Sequence, residues 1–356
     1  MAVTPSQDAP PPIRRPIVII GAGSIVRDAH LPAYRLAGFP VAGIFDLDPA
    51  RARSIASAFS VPKVYDSLEQ AAREAPEGAV FDVAVPAPAL REVLPALPDG
   101  APALLQKPLG ENLAEARVLR DLCRRKRLQA AVNFQLRFAP NIAAARRLIA
   151  EGAIGELHDI DVRVTVYMPF QLWTFLEQTP RVEILYHSIH YVDLIRSFFG
   201  DPTGVHALTV RHPSFPKHAG TRSTVALGYG EWKRATITAN HGHVFGSRHQ
   251  ESYVKWEGTR GALVAKLGVN LNYPAGEPDT LELCQLGGAE PPSWRSLPVE
   301  GNWFPHAFAG SMASVMRFAD GAAELPTAVE DACRTMAVVE AAYAASAAGA
   351  TPIPSP

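Results

Sequence analysis

The chain is poor in cysteine, has no long apolar run and carries no surplus of either charge. Its three cysteines, Cys123, Cys284 and Cys333, lie far apart and form no C-x-x-C pair, which argues against a disulfide framework and against a cysteine zinc site. Reduced thiols and a cytoplasmic location are expected. No apolar stretch approaches the roughly 18 residues read as a membrane span, so no membrane role is expected. Arg14-Arg15 precedes Ile17-Val18-Ile19-Ile20, but this run is too short for an export signal and flows into a glycine turn. Lys plus Arg number 34 against 35 Asp plus Glu, a net charge of −1 that supplies no long-range field toward nucleic acid. The one dense basic run, Arg124-Arg125-Lys126-Arg127, ends a helical stretch, where cations complement the carbonyl end of the helix dipole.

A length of 356 residues favours two domains, and 47% hydrophobic against 19% charged residues excludes disorder as the dominant state. Residues 1–16 hold Pro5, Pro10, Pro11, Pro12 and Pro16 with few bulky apolar groups, and read as a loose tail. From Ile17 short apolar runs alternate with helical stretches. The expected strands are Ile17–Ile20, Val41–Phe45, Val80–Val85, Ala103–Leu105 and Ala130–Phe134. The helices between them are Ser24–Ala37, Pro49–Phe59, Ser67–Ala75, Ala87–Leu97 and Asn112–Lys126. Strands apolar on successive residues require a parallel sheet covered on both faces, which makes 17–135 a doubly wound α/β domain.

After about residue 135 the rhythm changes. Residues 161–167 and 234–240 alternate apolar with polar, as half-buried antiparallel strands do. Further strands are expected near 204–211, 222–229, 250–257, 261–269 and 280–286. Helices Ala139–Glu151, Val182–Phe199, His306–Ala319 and Ala328–Ala348 flank them. The expectation for 136–356 is a second α/β domain with a large, mainly antiparallel sheet.

Gly21-Ala22-Gly23-Ser24-Ile25 follows the first strand and opens a helix, the context in which backbone N–H groups approach a pyrophosphate. Val26 stands at the third small position and departs from the pattern. Asp46 ends the second strand 25 residues after Gly21, where a carboxylate accepts from an adenosine ribose diol, favouring NAD over NADP. Lys107, in Gln106-Lys107-Pro108, stands just past the strand at Ala103–Leu105, at the sheet edge where ligands gather; a lysine there can stabilise negative charge on a substrate oxygen. In the helix beginning near Val182, spacings of three and four residues put Tyr186, His187, His190 and Asp193 on adjoining parts of one face. His190 suits proton acceptance from a hydroxyl, and Tyr186 suits donation or orientation. A metal at His187 and His190 would need a further ligand that the local sequence lacks, so no metal is expected.

These segments together resemble the Gfo/Idh/MocA oxidoreductase family, the glucose–fructose oxidoreductase and inositol dehydrogenase group. The markers are Gly21–Ile25 with His30-Leu31-Pro32-Ala33, Phe45–Pro49, Gln106–Leu109, Asn133–Pro140, the helix ending His190–Asp193 and Pro326–Ala332. The resemblance implies a Rossmann domain binding NAD(P), an open-sheet domain that usually forms a homodimer or homotetramer, and sugar, cyclitol or polyol substrates. It maps the family's E-K-P motif onto Gln106-Lys107-Pro108, its D-x-x-x-H pair onto Tyr186 and His190, and its T-P-x-x-x-H segment onto Val85-Pro86 through Leu90. Gln106, Tyr186 and Leu90 thus depart from the pattern, and Gln106 removes a negative neighbour that would hold Lys107 protonated.

The expected site accordingly comprises Lys107, His190 and Tyr186 for catalysis, and Gly21, Gly23, Ser24, Ile25, Asp46, Val85, Pro86, Gln106 and Lys107 for the cofactor. Arg137, Trp173, Arg181, Glu183 and His187 are the expected substrate contacts. The reaction implied is hydride transfer between nicotinamide and a secondary hydroxyl. Two alternatives stay open: a redox-neutral enzyme with tightly held NAD, performing elimination, glycoside cleavage or isomerisation, and a non-catalytic NAD-binding sensor.

Overall fold

The computed structural model describes residues 14–172, 174–287 and 291–354, with Thr174 by its backbone alone. Trp173 and residues 1–13 of the proline-rich tail therefore lie outside the described residues.

The chain divides into two compact units: Met1–Ala139 with Phe304–Met336, and Pro140–Trp303 with Ala337–Pro356. The first unit is built on five strands, β1 (Ile17–Ile20), β2 (Val41–Phe45), β3 (Val80–Val83), β4 (Pro102–Leu105) and β5 (Gln129–Val132). All neighbouring pairs are parallel, in the order β2-β1-β3-β4-β5. The order reverses between β1 and β3, and that crevice at the carboxyl ends of the strands is where such sheets hold ligands. Helices α1 (Leu31–Ala37), α2 (Pro49–Phe59), α3 (Leu68–Arg73), α4 (Leu90–Ala96) and α5 (Leu113–Arg125) connect them. Three start at side-chain caps: Asp48 accepts from the amides of Ala50 and Arg51, Ser67 from Gln70, and Asn112 from Glu115.

The second unit carries eight strands: β6 (Leu157–Thr165), β7 (Gly204–Val210), β8 (Arg222–Gly228), β9 (Arg234–Asn240), β10 (Glu251–Gly258), β11 (Gly261–Lys266), β12 (Thr280–Gln285) and β13 (Trp294–Leu297). Their order is β13-β12-β11-β10-β6-β9-β8-β7, antiparallel throughout except for β6 with β9. Alternate residues such as Ile160, Val162 and Val164 on β6, with Val254 and Trp256 on β10, are fully buried, whereas Asp159, Asp161 and Arg163 point to the other face. Helix α6 (Pro140–Ala150) and α7 (Ile189–Phe199) belong to this unit; Phe198 of α7 packs its ring 5.5 Å from that of Trp256, with the Arg146 guanidinium 4.1 Å above Phe198. The last helices are α8 (Trp303–Ala319) and α9 (Val329–Ala348).

Three features depart from the sequence expectation. Strand β13 has no alternating pattern, because all but one of its residues are exposed, so periodicity could not reveal it. The segment 304–336 lies in the first unit, where a contiguous second domain over 136–356 was expected. Its Phe308, Met312, Val315 and Met316 fill the same core as Ile17, Ile19, Val26 and Ile44, each buried side chain contributing about 1.5–3 kcal/mol. Finally, helices expected as continuous α-helix begin with π-turns, at Val26–His30 before α1 and at Ile184–Ser188 before α7. Among the described residues no helix is long and apolar enough to cross a membrane.

Candidate active site

The glycine turn occupies the crevice at the ends of β1 and β3. Gly21 has φ +104°, and a Cβ there would lie 2.4 Å from the carbonyl oxygen of Ala84, so glycine is required by the close approach of the two strands. Gly23 is different: among the described residues a Cβ on it would meet no atom within 4 Å. Nothing among the described residues requires glycine at that point, and open space over a helix entrance is what a bound pyrophosphate needs. The amides of Ser24 and Ile25 belong to the first turn of the helical run, where N–H groups have no intrahelical acceptor. Val85 and Pro86 follow β3 beside this turn, the Val85 Cγ1 lying 3.4 Å from where a Gly21 Cβ would be.

Asp46, at the end of β2, accepts from the Ala22 amide through Oδ2 at 2.6 Å and from the Asp48 amide through Oδ1 at 2.8 Å. Its carboxylate is thereby fixed beside the glycine turn, and each oxygen retains a lone pair for a ribose hydroxyl. Arg51 approaches Asp46 Oδ1 at 3.6 Å and Asp48 Oδ2 at 3.4 Å. Gly23, the turn amides and Asp46 fit NAD.

Gln106 and Lys107 follow β4. The Lys107 backbone N–H donates to Gln106 Oε1 at 2.9 Å, and the Lys107–Pro108 peptide is cis. Burial pushes the Lys107 amine down from its usual range to about 8.

Sequence reasoning missed what lies beneath these residues. His30 Nδ1 is 2.7 Å from Asp82 Oδ2, which also accepts from the Tyr34 hydroxyl at 2.8 Å; all three side chains are fully buried. His30 Nε2 faces Gln106 Nε2 at 3.5 Å and Asn133 Nδ2 at 3.4 Å. The readable signal was Asp82, a carboxylate in the otherwise apolar run Val80-Phe81-Asp82-Val83.

In the second unit the π-turn at Ile184–Ser188 alters the helical phase, so the side chains assigned to one face find separate partners. Tyr186 packs its ring 5.8 Å from Phe175, His187 lies 4.4 Å from the His241 ring, and His190 meets Trp303 edge-on at 5.9 Å. Glu183 is fully buried, its Oε1 accepting from Ser188 Oγ at 2.6 Å and facing His241 Nε2 at 3.3 Å. Arg181 makes a two-pronged pair with Glu340, both bonds 2.8 Å. In the first unit Arg137 donates to Asp331 Oδ2 at 2.6 Å and to the Pro326 carbonyl at 2.9 Å. The polar groups of Arg137, Arg181 and Glu183, expected as substrate contacts, are thus engaged by protein partners. Among the described residues no group of three or more His, Cys, Asp or Glu side chains is arranged to hold a metal ion.

Known proteins similar to this chain include sugar dehydrogenases. The D-apiose dehydrogenase of Paraburkholderia graminis is 27% identical, over 94% of this chain and 88% of that protein. The D-apiose dehydrogenase of Rhizobium rhizogenes is 26% identical, over 88% of this chain and 90% of its own length. An oxidoreductase from Agrobacterium radiobacter, solved with NAD+, L-tartaric acid and magnesium, superposes with a TM-score of 0.78 at 21% identity, covering 95% of this chain and 98% of that one. Levoglucosan dehydrogenase, solved with NADH and levoglucosan, gives 0.75 at 18% identity, covering 94% and 97%. Residues 15–134 match the oxidoreductase family with an NAD-binding Rossmann fold, and residues 142–264 match the GFO/IDH/MocA C-terminal domain. With both of its domains matched in order, this chain belongs to the GFO/IDH/MocA family of NAD-binding oxidoreductases.

Proposed function

We propose that the protein is an NAD-dependent dehydrogenase acting on a secondary hydroxyl of a neutral sugar or sugar-like polyol, in which Lys107 and His190 carry the chemistry. The observation that carries the cofactor half is Gly23, a glycine kept where the protein itself leaves space. The D-apiose and levoglucosan dehydrogenases among the relatives and structural neighbours support the substrate class.

The turn amides after Gly23 hold the pyrophosphate and Asp46 holds the adenosine ribose, disfavouring a 2′-phosphate by charge. NAD+, when bound, supplies the hydride acceptor. His190 takes the hydroxyl proton of the substrate; Trp303 against its ring limits the directions in which the imidazole can turn. The Lys107 ammonium donates to the substrate oxygen and stabilises the negative charge that grows on it as the proton leaves. Tyr186 and His187 contribute to the substrate pocket. Arg137 and Arg181 act as braces for the surrounding structure, and Glu183 acts through His241 and Ser188.

The reading extends to a cytoplasmic homodimer or homotetramer joined through the polar face of the eight-stranded sheet, which size-exclusion chromatography with light scattering tests. The function itself is tested by following absorbance at 340 nm with added NAD+ and a panel of D-apiose, levoglucosan, myo-inositol and D-glucose. Turnover of at least one member supports the reading. NAD+ binding without absorbance change for any of them, at any pH between 6 and 9, overturns it.

A further inference from the structure

The buried side chains under Gln106 form a chain of hydrogen bonds whose direction can be worked out from one end. A backbone N–H only donates, so the Lys107 amide fixes Oε1 of Gln106 as the atom facing it, and the Gln106 NH2 group therefore points at His30 Nε2. Asn133 presents its own NH2 group to the same nitrogen. Two donors converging on Nε2 require a lone pair there. The ring proton consequently sits on Nδ1, where it donates to Asp82 Oδ2 at 2.7 Å. His30 is neutral, in one tautomer, and held from every side: Tyr34 from α1, Asp82 from β3, Gln106 after β4, Asn133 after β5 and the Phe308 ring of α8 at 5.0 Å.

We propose that Asp82 and His30 are positioning residues for Lys107, fixing its backbone through the uncharged side chain of Gln106. The inference rests on the reading of Lys107 as catalytic. An acid at position 106, as in the family's E-K-P motif, would turn an acceptor toward Nε2, demand a second proton on His30 and place a carboxylate beside Lys107. Gln106 achieves the same anchorage with the polarity reversed and no charge. The lowered affinity of the Lys107 amine for its proton agrees with that arrangement: burial disfavours the ammonium, and the neighbouring side chain is an amide.

The experiment uses the full chain without substrate or cofactor. Nitrogen-15 histidine NMR at pH 7.5, with His30 assigned by loss of its signals in His30→Gln, is expected to show a neutral ring protonated on Nδ1. In Gln106→Glu the same ring is expected to become doubly protonated. A wild-type His30 that is cationic, or protonated on Nε2, overturns the proposal. Lysine carbon-13 NMR then follows the Lys107 titration: the midpoint is expected to rise in Gln106→Glu and to fall in Asp82→Asn. A His30 ring that stays singly protonated in Gln106→Glu, or Lys107 midpoints that move in neither folded variant, overturns the proposal; if Asp82→Asn does not fold, Gln106→Glu alone decides. With an active polyol from the panel above, Asp82→Asn is expected to lower kcat about tenfold or more while KM for NAD+ stays within about twofold. Near-full turnover by Lys107→Ala would sink the catalytic reading. An inactive Lys107→Ala alongside an unaltered Asp82→Asn would sink this inference alone.

Discussion

Asp46 Oδ2 lies 2.6 Å from the amide nitrogen of Ala22, so the carboxylate that ends β2 is hydrogen-bonded into the glycine turn that ends β1. One side chain thus shapes the turn and presents negative charge where the adenosine ribose is proposed to rest. Asp46→Ser is expected to weaken NAD+ binding about tenfold or more and to raise the ratio of NADP+ to NAD+ affinity, because the repulsion of a 2′-phosphate is gone. Calorimetric titration with both nucleotides checks this; an unchanged ratio would contradict the placement of the ribose.

The two glycines of the turn separate folding from binding. Gly21→Ala puts a Cβ 2.4 Å from the Ala84 carbonyl at a φ of +104°, and is expected to cost about 2–4 kcal/mol of stability. Gly23→Ala meets nothing within 4 Å and is expected to keep the wild-type melting temperature while losing about tenfold or more in NAD+ affinity. Thermal denaturation alongside titration distinguishes them. A Gly23→Ala protein that binds NAD+ normally would show that the space over Gly23 serves another purpose.

The amine of Lys107, lowered by burial to about 8, gives two pH effects of known sign. In the proposed role the ammonium donates to the substrate oxygen below that value; above it the charge is lost, so kcat/KM is expected to fall as pH rises through about 8. For stability, the unfolded chain holds the lysine proton up to its ordinary pKa, 10.5, whereas the folded chain releases it near 8. The unfolded state therefore binds more protons in that window, and stability gains from Lys107 as pH rises through it. Denaturant titrations of wild type and Lys107→Ala at pH 7.5 and pH 9.5 isolate this gain, which the variant should lack.

Arg137 offers a contrast between a brace and a pocket residue. Its pair with Asp331 is largely buried on the arginine side, at 9% exposure. Arg137→Ala is expected to cost about 1–3 kcal/mol, since its hydrogen bonds to the Asp331 carboxylate and the Pro326 carbonyl are lost, and Arg137→Ala with Asp331→Ala together are expected to cost less than the sum of the single changes. Urea denaturation measures both. A stable Arg137→Ala enzyme with a sharply raised substrate KM would instead return this residue to the substrate pocket.

The local signals in the sequence translated well into elements. The apolar runs at 17–20 and 41–45 became β1 and β2, and Asp48 and Asn112 start their helices because their side chains cap free amides. The glycine turn, Asp46 and Gln106-Lys107 fall at strand ends as the order of the motifs implied. What local pattern could not carry was long-range partnership. Arg137 and Asp331 are 194 positions apart, and His30 meets Asp82 across 52, so neither spacing nor periodicity joins them. The helical-wheel reading of Tyr186, His187 and His190 assumed 3.6 residues per turn, and the π-turn at Ile184–Ser188 breaks that assumption within this very segment. The return of Phe304–Met336 to the first unit was hidden for a related reason: an amphipathic helix announces a buried face, but not whose core receives it.

The central claim is the proposed one, that Lys107 and His190 each serve the dehydrogenation, and steady-state turnover of Lys107→Ala and His190→Asn tests it most directly. Under saturating NAD+ and the best polyol of the panel, each variant is expected to lose about a hundredfold or more in kcat while keeping a folded, NAD+-binding protein. Near wild-type kcat in either variant would contradict the account.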